Sequence, residues 1–499
     1  MMHLADQHVL VLGLGSSGLA LARWCARGGA HVTVADTRAE PPQLVALLAS
    51  VPSANFVHAA MSAELLDENP FTLVLKSPGL SPALVAGVTA GAVARGLALG
   101  NELSLFAQAL ADLQQSAGYT PQVIGITGTN GKTTVTSLTG QLVQRAGKTV
   151  AVAGNIGPTL LDTLAGRLDN DTLPAVWVLE LSSFQLDGVT NFEPTAAAVL
   201  NITQDHLDWH GTLEAYAAAK NNVYGTSSLM LLNRNDALVM AAQPGAVKGK
   251  PRAYLTYGHD EPQRPGDYGI ETVNGMTWLV RAAELDETIK RKRGEQAQGF
   301  ELHIQRLMPV EALRIRGLHN ATNALAALAL AHSAGCALGP MLHGLREYRG
   351  EPHRVESVAV INGVEYFDDS KGTNVGATVA ALVGLGADRK IVLILGGVGK
   401  DQDFSPLAVP VSRYARAIVL IGRDASVIRA SLHSDIAFVL NADSMQEAVR
   451  LAAAQAQPGD AVLMSPACAS FDMFDNYEHR ARVFCDAVKA LALEAGEVL

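Results

Sequence analysis

Cysteine is scarce in this chain, and its few cysteines are far apart. Four occur among 499 residues, at positions 25, 336, 468 and 485, and they form no CxxC pair and no other metal-binding spacing. Isolated thiols of this kind are typical of proteins whose cysteines stay reduced. The pattern argues against a disulfide framework and favours a cytoplasmic protein.

Long apolar runs and an excess of basic charge are also missing. The N-terminus has no basic region before an apolar core, and no run approaches the ~20 apolar residues of a membrane span. The formal net charge of −10 argues against a general nucleic-acid binder. The basic run Lys290 to Arg293 is expected to be a solvated loop. We expect a soluble, cytoplasmic protein without nucleic-acid or membrane partners, and we expect it to be a monomer.

Length and hydrophobicity predict about three domains. A chain of 499 residues that is 48% apolar can form several cores. We place the domains at residues 1–100, 101–350 and 351–499. The segment from Tyr348 to Pro352 breaks the preceding pattern and is predicted to be a linker.

Predicted strands and helices alternate through most of the chain. The polar section from residue 252 to 304 is predicted to form hairpins and loops. The fold class is therefore α/β with mostly parallel sheets, and Rossmann-like N- and C-terminal domains flank a P-loop ATPase-like central domain. The predicted strands span 8–14, 31–35, 71–76, 175–179, 196–200, 229–232, 390–395, 417–421, 437–440 and 461–464.

The segment from Gly125 to Thr134 reads GITGTNGKTT and lies between an apolar strand pattern and a helical pattern. Glycines let backbone N–H groups surround phosphate oxygens, and the following helix N-terminus attracts negative charge. Lys132 would reach the terminal phosphates, and the Thr133 hydroxyl would face Mg²⁺. Ile126 replaces one glycine of the generic motif. An ordinary turn is the structural alternative, but the context predicts binding of a nucleoside triphosphate.

A second glycine loop, Gly13 to Gly18, fits the pattern GxGxxG and is followed by Asp36 at the end of the next predicted strand. Alone, this arrangement indicates an NAD(P)-dependent enzyme. The chain shows no hydride-transfer constellation, however, and the loop can equally hold the diphosphate of another nucleotide. Both interpretations stay open at this level.

Acidic and imidazole side chains follow two central strands. Glu180 is a natural Mg²⁺ ligand or water-holder, or else a helix-start acid beside Ser182 and Ser183. The segment from Asp205 to His210 contains four ionisable groups, which indicates a metal or a shared proton network, or else a helix-capping cluster. Lys220, on the next predicted helix, would ordinarily be a solvated lysine.

Asn320 and Asn323 are one helical turn apart, so both amides should face the same way and could bind a purine edge or phosphate oxygens. N-capping is the alternative for Asn320. In the last domain Arg354, Lys371 and Lys400 lie near predicted strand ends, where open α/β sheets bind ligands. Each alone could be a surface charge, but three cations at such positions in an acidic protein are harder to dismiss together.

Taken in order, these segments resemble the Mur ligase family, which forms amide bonds in peptidoglycan synthesis at the expense of ATP. The motifs are most similar to those of members that add D-glutamate to UDP-N-acetylmuramoyl-L-alanine. The resemblance implies that the three domains bind the UDP-substrate, ATP and the amino acid, in that order. The motifs that carry it are GTNGKTT, LELSSFQL, NITQDHLD, GLHNATNALAA, PHRVE, DDSKGTN and SPACAS.

The resemblance also implies a role for individual residues. Lys132, Glu180, His206 and Lys220 would be catalytic. The ligands of two Mg²⁺ ions would be Thr133, Glu180, His206 and Lys220, the last as a carbamate. ATP would contact Gly128, Thr129, Asn130, Gly131, Lys132, Thr133, Thr134, Asn320, Asn323, Arg354 and Asp369. The UDP-substrate would contact Ser16, Asp36, Thr37, Arg38, Ser77, Gly79 and, at its acyl end, Asn155. D-glutamate would contact Lys371, Thr373, Lys400, Ser470 and Tyr477.

Two rival classes stay open beside this ligase. A nucleotide-dependent dehydrogenase would bind NAD(P), and a non-enzymatic nucleotide sensor would not need an acceptor for ATP turnover. The section from Glu284 to Phe300 is an apparent insertion to which no role is assigned.

Overall fold

A computed structural model describes residues 4–67, 70–245, 252–284, 302–387, 389–432 and 438–497. These residues form three sheets that follow one another along the chain, with five, nine and six strands. Helices connect most of the strands. The predicted α/β class with three mostly parallel sheets is confirmed. The domain limits at residues 100 and 350 stay predictions.

The N-terminal sheet is wholly parallel, with strand order β3-β2-β1-β4-β5. From β1 the chain adds β2 and β3 on one side of the sheet and then β4 and β5 on the other, so β1 pairs with both β2 and β4. Open α/β sheets bind ligands at such a switch point, beyond the carboxyl ends of the strands. The elements are β1 (His8–Leu12), α1 (Ser16–Arg27), β2 (His31–Asp36), α2 (Leu44–Ser50), β3 (Asn55–His58), β4 (Leu73–Lys76), α3 (Pro82–Ala94), β5 (Ala98–Gly100) and α4 (Glu102–Ala117).

The first half of the central domain supplies the parallel part of its sheet. Strand β6 lies between β8 and β9, so the loops that follow these three strands meet at one edge. The elements are β6 (Gln122–Thr127), α5 (Lys132–Arg145), β7 (Val150–Gly154), α6 (Leu160–Asp169), β8 (Val176–Glu180), α7 (Ser183–Leu186), β9 (Ala196–Val199), α8 (Leu207–His210), α9 (Leu213–Asn221), β10 (Leu229–Asn233) and α10 (Ala237–Met240).

The second half extends the sheet to the order β14-β13-β12-β11-β10-β9-β6-β8-β7. Strands β12 to β14 are antiparallel, which confirms the predicted hairpins. Most of the predicted insertion and the run Lys290 to Arg293 lie outside the described residues. The elements are β11 (Tyr254–Tyr257), β12 (Tyr268–Val273), β13 (Met276–Glu284), β14 (Leu302–Pro309), α11 (Leu318–Ser333) and α12 (Leu338–Glu347).

The C-terminal sheet has the order β15-β16-β20-β17-β18-β19, and only β15 is antiparallel to its neighbour. The loops after β16, β20 and β17 are therefore adjacent. The elements are β15 (Glu356–Ile361), β16 (Val364–Asp368), α13 (Val375–Gly386), β17 (Ile391–Gly396), α14 (Ala408–Tyr414), β18 (Ala415–Ile421), α15 (Ala425–Ser431), β19 (Val439–Asn441), α16 (Met445–Gln455), β20 (Ala461–Met464) and α17 (Tyr477–Glu494).

A buried carboxyl group links the first two domains. Glu102, at the start of α4, is 1% exposed, and its Oε1 accepts a hydrogen bond from the N–H of Leu161 in the first turn of α6 at 3.1 Å. Ser17 of α1 lies near enough to lower the pKa of this carboxyl group, whereas Oε2 has no hydrogen-bond partner. Burial has the larger effect and raises the pKa of Glu102 to about 7. One carboxyl group thus lies among the first turns of three helices.

Replacing Glu102 by glutamine should change how stability depends on pH. The folded protein holds the Glu102 proton up to about pH 7, whereas the unfolded chain loses it near its ordinary value of 4.5. The stabilisation by this group is therefore complete below the unfolded pKa and is lost as pH rises through 7. Relative to Glu102→Gln, the wild type should lose about 3 kcal/mol in free energy of unfolding over that range. Urea unfolding at several pH values measures this, and parallel curves would contradict it.

Candidate active site

The phosphate loop begins at the carboxyl end of β6 and ends in α5. Gly131, with φ +82°, precedes the helix, and a Cβ there would lie 2.8 Å from Asn323 Oδ1. Glycine therefore permits both the left-handed turn and the close approach of that amide. Lys132 Nζ donates to the carbonyls of Gly128 and Thr129 at 2.8 and 2.9 Å. Burial lowers the pKa of this lysine.

Lys220 is buried against the same loop, so the interpretation as a solvated lysine is wrong. Lys220 is 1% exposed, and its Nζ donates to the Gly128 carbonyl at 2.9 Å. The amine lies 4.4 Å from the ring centroid of Tyr216. Burial, reinforced by the nearby charge of Lys132, holds the pKa of Lys220 well below its ordinary value. This lysine is therefore suited to be a neutral amine.

Glu180 ends β8 and has one carboxylate oxygen without a partner. The residue is 1% exposed, and Oε1 accepts a hydrogen bond from Asn155 Nδ2 at 2.7 Å, whereas Oε2 has no hydrogen bond. The helix-start interpretation is wrong, because α7 begins at Ser183 and is capped by Ser182. A Cβ on Gly154 would lie 2.2 Å from the Glu180 carbonyl oxygen, so glycine is required beside Asn155.

The segment from Asp205 to His210 separates into different environments. His206 Nε2 lies 3.6 Å from Asp205 Oδ2, and burial lowers the pKa of His206. His210 Nε2 lies 2.9 Å from Ser183 Oγ, and Asp208 is exposed. His206 occupies the N-cap position of α8, but its side chain makes no capping bond. The four ionisable groups therefore do not share one environment, and His206 does not cap α8 with its side chain. A metal-binding role for His206 stays a prediction.

Among the described residues, one group of three His, Cys, Asp or Glu side chains has its ligand atoms close together, formed by His353, Glu356 and Asp368. His353 Nδ1 lies 2.7 Å from Asp368 Oδ2, and the His353 N–H donates to Glu356 Oε2 at 2.9 Å. Neither Glu180 nor His206 belongs to this group. The predicted magnesium ligands also include the Thr133 hydroxyl and the Lys220 amine, and a group made only of His, Cys, Asp and Glu cannot contain them.

A cavity of about 290 Å³ opens beside the phosphate loop. Asn323 Nδ2 donates to Asn320 Oδ1 at 3.2 Å, so the two amides face the same way as predicted. The N-cap of α11 is Gly317, and Asn320 Nδ2 instead donates to the Arg316 carbonyl at 2.8 Å, so N-capping by Asn320 is wrong. The cavity brings together the predicted ATP residues Asn130, Gly131, Thr134, Asn320, Asn323, Arg354 and Asp369.

Arg354 and Asp369 bring the C-terminal domain to this cavity. Arg354 Nη2 donates to Thr133 Oγ1 at 2.6 Å, directly beside the phosphate loop. Asp369 Oδ2 accepts a hydrogen bond from Ser465 Oγ at 2.6 Å. Burial raises the pKa of Asp369 to about 7, against the opposing effects of Ser465 and Arg354. Residues from two domains therefore surround one anion-binding loop.

The predicted D-glutamate residues lie at the adjacent ends of β16, β17 and β20. Lys371 Nζ lies 3.8 Å from the ring centroid of Tyr477, and burial lowers the pKa of this lysine to about 8, with a further contribution from Arg354. Ser470 is 3% exposed, Thr373 is half-buried and Lys400 is exposed. The charge of Lys400 acts on His206, so this edge faces the central sheet.

In the first domain, Asp36 organises the second glycine loop. Its carboxylate accepts hydrogen bonds from the Leu14 N–H at 2.8 Å and from Nε and Nη2 of Arg38, both at 2.8 Å. Bonding to Arg38 lowers the pKa of Asp36 to about 2. Ser77 Oγ donates to the Gly13 carbonyl at 2.9 Å. Ser16, Thr37 and Gly79 lie at the same sheet edge, so the predicted UDP residues of this domain are gathered there.

Two asparagines near the phosphate loop were not predicted as site residues. Asn201 follows β9, its Oδ1 accepts the Asn130 N–H at 2.8 Å, and its Nδ2 donates to the Asn130 carbonyl at 3.0 Å. Asn374 bonds the side chain of Asn130 from the C-terminal domain. Asn201 lies in the motif NITQDHLD, and Asn374 lies in DDSKGTN. Their positions in the loops that follow β9 and β16 could have marked them as site residues.

A second cavity, of about 890 Å³, lies between the N-terminal sheet and α4. Its lining includes Lys76, whose ammonium pairs with Asp187 of the central domain at 3.2 Å. None of the predicted site residues lines it, so its size alone does not connect it with the chemistry at the phosphate loop.

Comparisons with known proteins agree along the whole chain. Three family models match in order: "Mur ligase MurD-like, N-terminal domain" at residues 7–97, "Mur ligase middle domain" at 126–331, and "Mur ligase, glutamate ligase domain" at 353–468. The UDP-N-acetylmuramoylalanine--D-glutamate ligase of Albidiferax ferrireducens is 65% identical, over 99% of this chain and 98% of its own. The protein of that name from Polaromonas sp. strain JS666 is 58% identical, over 100% of both chains.

A solved structure supports the fold independently. The MurF ligase of Thermotoga maritima, determined in complex with ADP, has a TM-score of 0.57 at 15% identity and covers 98% of this chain and 96% of its own. The family matches and the full-length relatives place the chain in the class of ATP-dependent, amide-forming ligases. The chain belongs to the Mur ligase family, which confirms the predicted family.

No helix of the described residues combines the length and the apolar character needed to cross a bilayer.

The lowered pKa of Lys371 can be measured by competitive labelling. Trace acetic anhydride should modify this amine with a half-maximal rate near pH 8, because burial favours the neutral form. Digestion and mass spectrometry give the rate for each lysine, and Lys489, with a side chain that is 60% exposed, is the reference. A Lys371 profile that coincides with the Lys489 profile would contradict the predicted effect of burial.

Proposed function

We propose that this protein joins the amine of D-glutamate to the alanyl carboxylate of UDP-N-acetylmuramoyl-L-alanine, with conversion of ATP to ADP and phosphate. The reaction would be a cytoplasmic step of peptidoglycan precursor synthesis, carried out by a monomer. The observation that carries the proposal is that Arg354 and Lys371 of the last domain converge on the phosphate loop of the central domain. The full-length similarity to D-glutamate ligases supports this choice of substrates.

The chemistry requires activation of the acceptor. A carboxylate is a poor electrophile, so one of its oxygens first attacks the γ-phosphorus of ATP and ADP leaves. The amine of D-glutamate then attacks the acyl carbon, a proton is lost, and the carbon–oxygen bond to phosphate breaks. The products are an amide, ADP and inorganic phosphate.

Positioned cations counter the repulsion among these substrates. A triphosphate, a carboxylate and a dicarboxylic amino acid concentrate negative charge in one cleft. Lys132 would bind the terminal phosphates, Arg354 would approach them beside Thr133, and Lys371 and Lys400 would face the carboxylates of D-glutamate. Such preorganised charges stabilise the developing charge of a transition state strongly in a site that excludes water.

The residues at the phosphate loop fit a magnesium ion. Glu180 offers a buried oxygen without a hydrogen-bond partner, and Thr133 offers a hydroxyl. Oxygen donors of this kind suit Mg²⁺. When bound, the ion would neutralise phosphate charge. Glu180 would hold the ion. Asn155 would contact the acyl acceptor and would also keep the Glu180 carboxylate in place through its hydrogen bond.

A second ion is proposed at His206 and Lys220. An amine is not a typical magnesium ligand, but a lysine carbamate supplies oxygens. The low pKa of Lys220 favours the neutral amine that reacts with CO₂. Because Lys220 Nζ donates to the Gly128 carbonyl, a carbamate formed on this amine would lie beside the phosphate loop.

The UDP moiety is assigned to the first sheet rather than to a redox cofactor. Asp36 holds Leu14 and Arg38, so it positions the glycine loop instead of presenting a free carboxylate. Arg38, Thr37 and Ser16 then lie at the switch point of the sheet, where a nucleotide diphosphate is expected. Membership of the Mur ligase family favours this ligand over NAD(P).

Phosphate release from ATP tests the function. We expect release only when UDP-N-acetylmuramoyl-L-alanine and D-glutamate are both present, with one amide formed per phosphate. Activity with another amino acid but not with D-glutamate would assign the protein to a sibling ligase. Turnover without the acceptor would favour a nucleotide sensor, and an NAD(P)-dependent absorbance change would favour a dehydrogenase.

Replacing Lys132 by alanine should abolish most turnover without unfolding the protein. The ammonium donates to two carbonyls of the loop, and removal of one preorganised charge typically costs about 10²–10³ in rate. Steady-state phosphate release and thermal unfolding should be measured on the same sample. Lys489→Ala, at a largely exposed position, is the matched control. Full activity of the folded Lys132→Ala variant would refute the assigned role.

A further inference from the structure

A reciprocal pair of amide hydrogen bonds joins the central domain to the C-terminal domain. Asn374 Nδ2 donates to Asn130 Oδ1 at 3.0 Å, and Asn130 Nδ2 donates to Asn374 Oδ1 at 3.3 Å. The residues are 244 positions apart in the chain, and Asn374 is 5% exposed. A buried amide left unpaired costs more than its bond contributes, so the pair favours the arrangement in which the two loops touch.

Each partner is held firmly by its own domain. The backbone of Asn130 is bonded on both sides to the Asn201 amide, at 2.8 and 3.0 Å. Asn374 is the N-cap of α13, because its Oδ1 also accepts the Ala377 N–H at 2.9 Å. The backbone of Asn130 and the side chain of Asn374 therefore cannot move without breaking a local contact. The pair transmits the position of one loop to the other.

The backbone approaches closely around this pair. A Cβ on Gly376 would lie 3.1 Å from Thr203 Oγ1 and 3.3 Å from Asn130 Nδ2. Asn374 Nδ2 also lies 3.5 Å from Asp205 Oδ2. The contact uses neutral amides, so it adds no charge to a site in which buried lysines already repel one another. The pair is therefore part of a closely packed interface between the two domains, and it is not a contact between exposed side chains.

The pair lies between the two predicted substrate loops. Asn130 is two residues before Lys132, and Asn374 directly follows Thr373, which is predicted to contact D-glutamate. We propose that Asn374 is a positioning residue that holds the amino-acid loop against the phosphate loop, so that the amine reaches the acyl phosphate before water does. This inference rests on the proposed ligase function.

Loss of the pair should uncouple the reaction. A water oxygen would attack the acyl carbon, the carbon–oxygen bond to phosphate would break, and the free carboxylate and inorganic phosphate would be released with one proton. ATP would then be consumed without amide formation. Exclusion of water from a reactive intermediate is a common result of domain closure.

Asn374→Ser is a suitable variant, because serine caps helices about as well as asparagine but is too short to reach Asn130. We expect the dissociation constant for ADP to stay within about twofold, since the phosphate loop itself is intact. The kcat/KM for D-glutamate should fall about tenfold, the typical effect of losing one buried hydrogen-bonded pair. The ratio of phosphate released to amide formed should rise above one. A residue needed only for folding would not change this ratio.

Two further variants serve as controls, one at Asn130 and one at a helix cap outside the site. Asn130→Ala removes the pair from the other side and should raise the same ratio, and the double variant should lose no more than the worse single variant. Ser444→Ala removes a cap from α16, which contains no predicted site residue, and should leave the ratio at one.

The outcomes are distinguishable. A ratio of one with unchanged kcat/KM in Asn374→Ser would overturn the inference, and so would additive losses in the double variant or uncoupling in Ser444→Ala. If the wild-type protein itself made no amide with D-glutamate, the proposed function would fail first.

Discussion

The site depends on one backbone carbonyl that the half-buried Lys132 and the buried Lys220 share. Lys132 and Lys220 both donate to the Gly128 oxygen, at 2.8 and 2.9 Å. Burial of these amines lowers the pKa of each, because desolvation disfavours the charged form. A polyanion bound at the loop would relieve that cost. Lys132 therefore accounts for the affinity expected for a triphosphate, and the low pKa of Lys220 accounts for the neutral amine that the proposed carbamate requires.

The order of the strands brings the chemistry to this carbonyl. Strand β6 lies between β8 and β9, so the phosphate loop, Glu180 and the segment that contains His206 leave the sheet at one edge. The adjacent ends of β16, β17 and β20 then supply the opposing wall, with Lys371 half-buried against Tyr477. Loops from the carboxyl ends of two sheets can together enclose an acyl phosphate, whereas the loops of one sheet would leave it open to water.

Much of this arrangement could be predicted from the sequence, because it is local. The glycine loop before α5, the strand before Glu180 and the parallel pairing follow from short-range patterns. The burial of Lys220 could not be predicted, since it depends on where α9 packs. The contact of Asn130 with Asn374 joins residues 244 positions apart, and no periodicity specifies it. The burial of Glu102, in the first turn of α4, could not be predicted either, because it depends on how α4 packs against α6.

An isotope experiment examines whether the carboxylate is activated by phosphorylation. The acceptor would be prepared with ¹⁸O in its alanyl carboxylate and converted by the wild-type protein in the presence of ATP and D-glutamate. If that oxygen attacks the γ-phosphorus, one ¹⁸O should appear in each inorganic phosphate and the other should stay in the amide. Phosphate without the label, formed together with amide, would contradict the acyl-phosphate route.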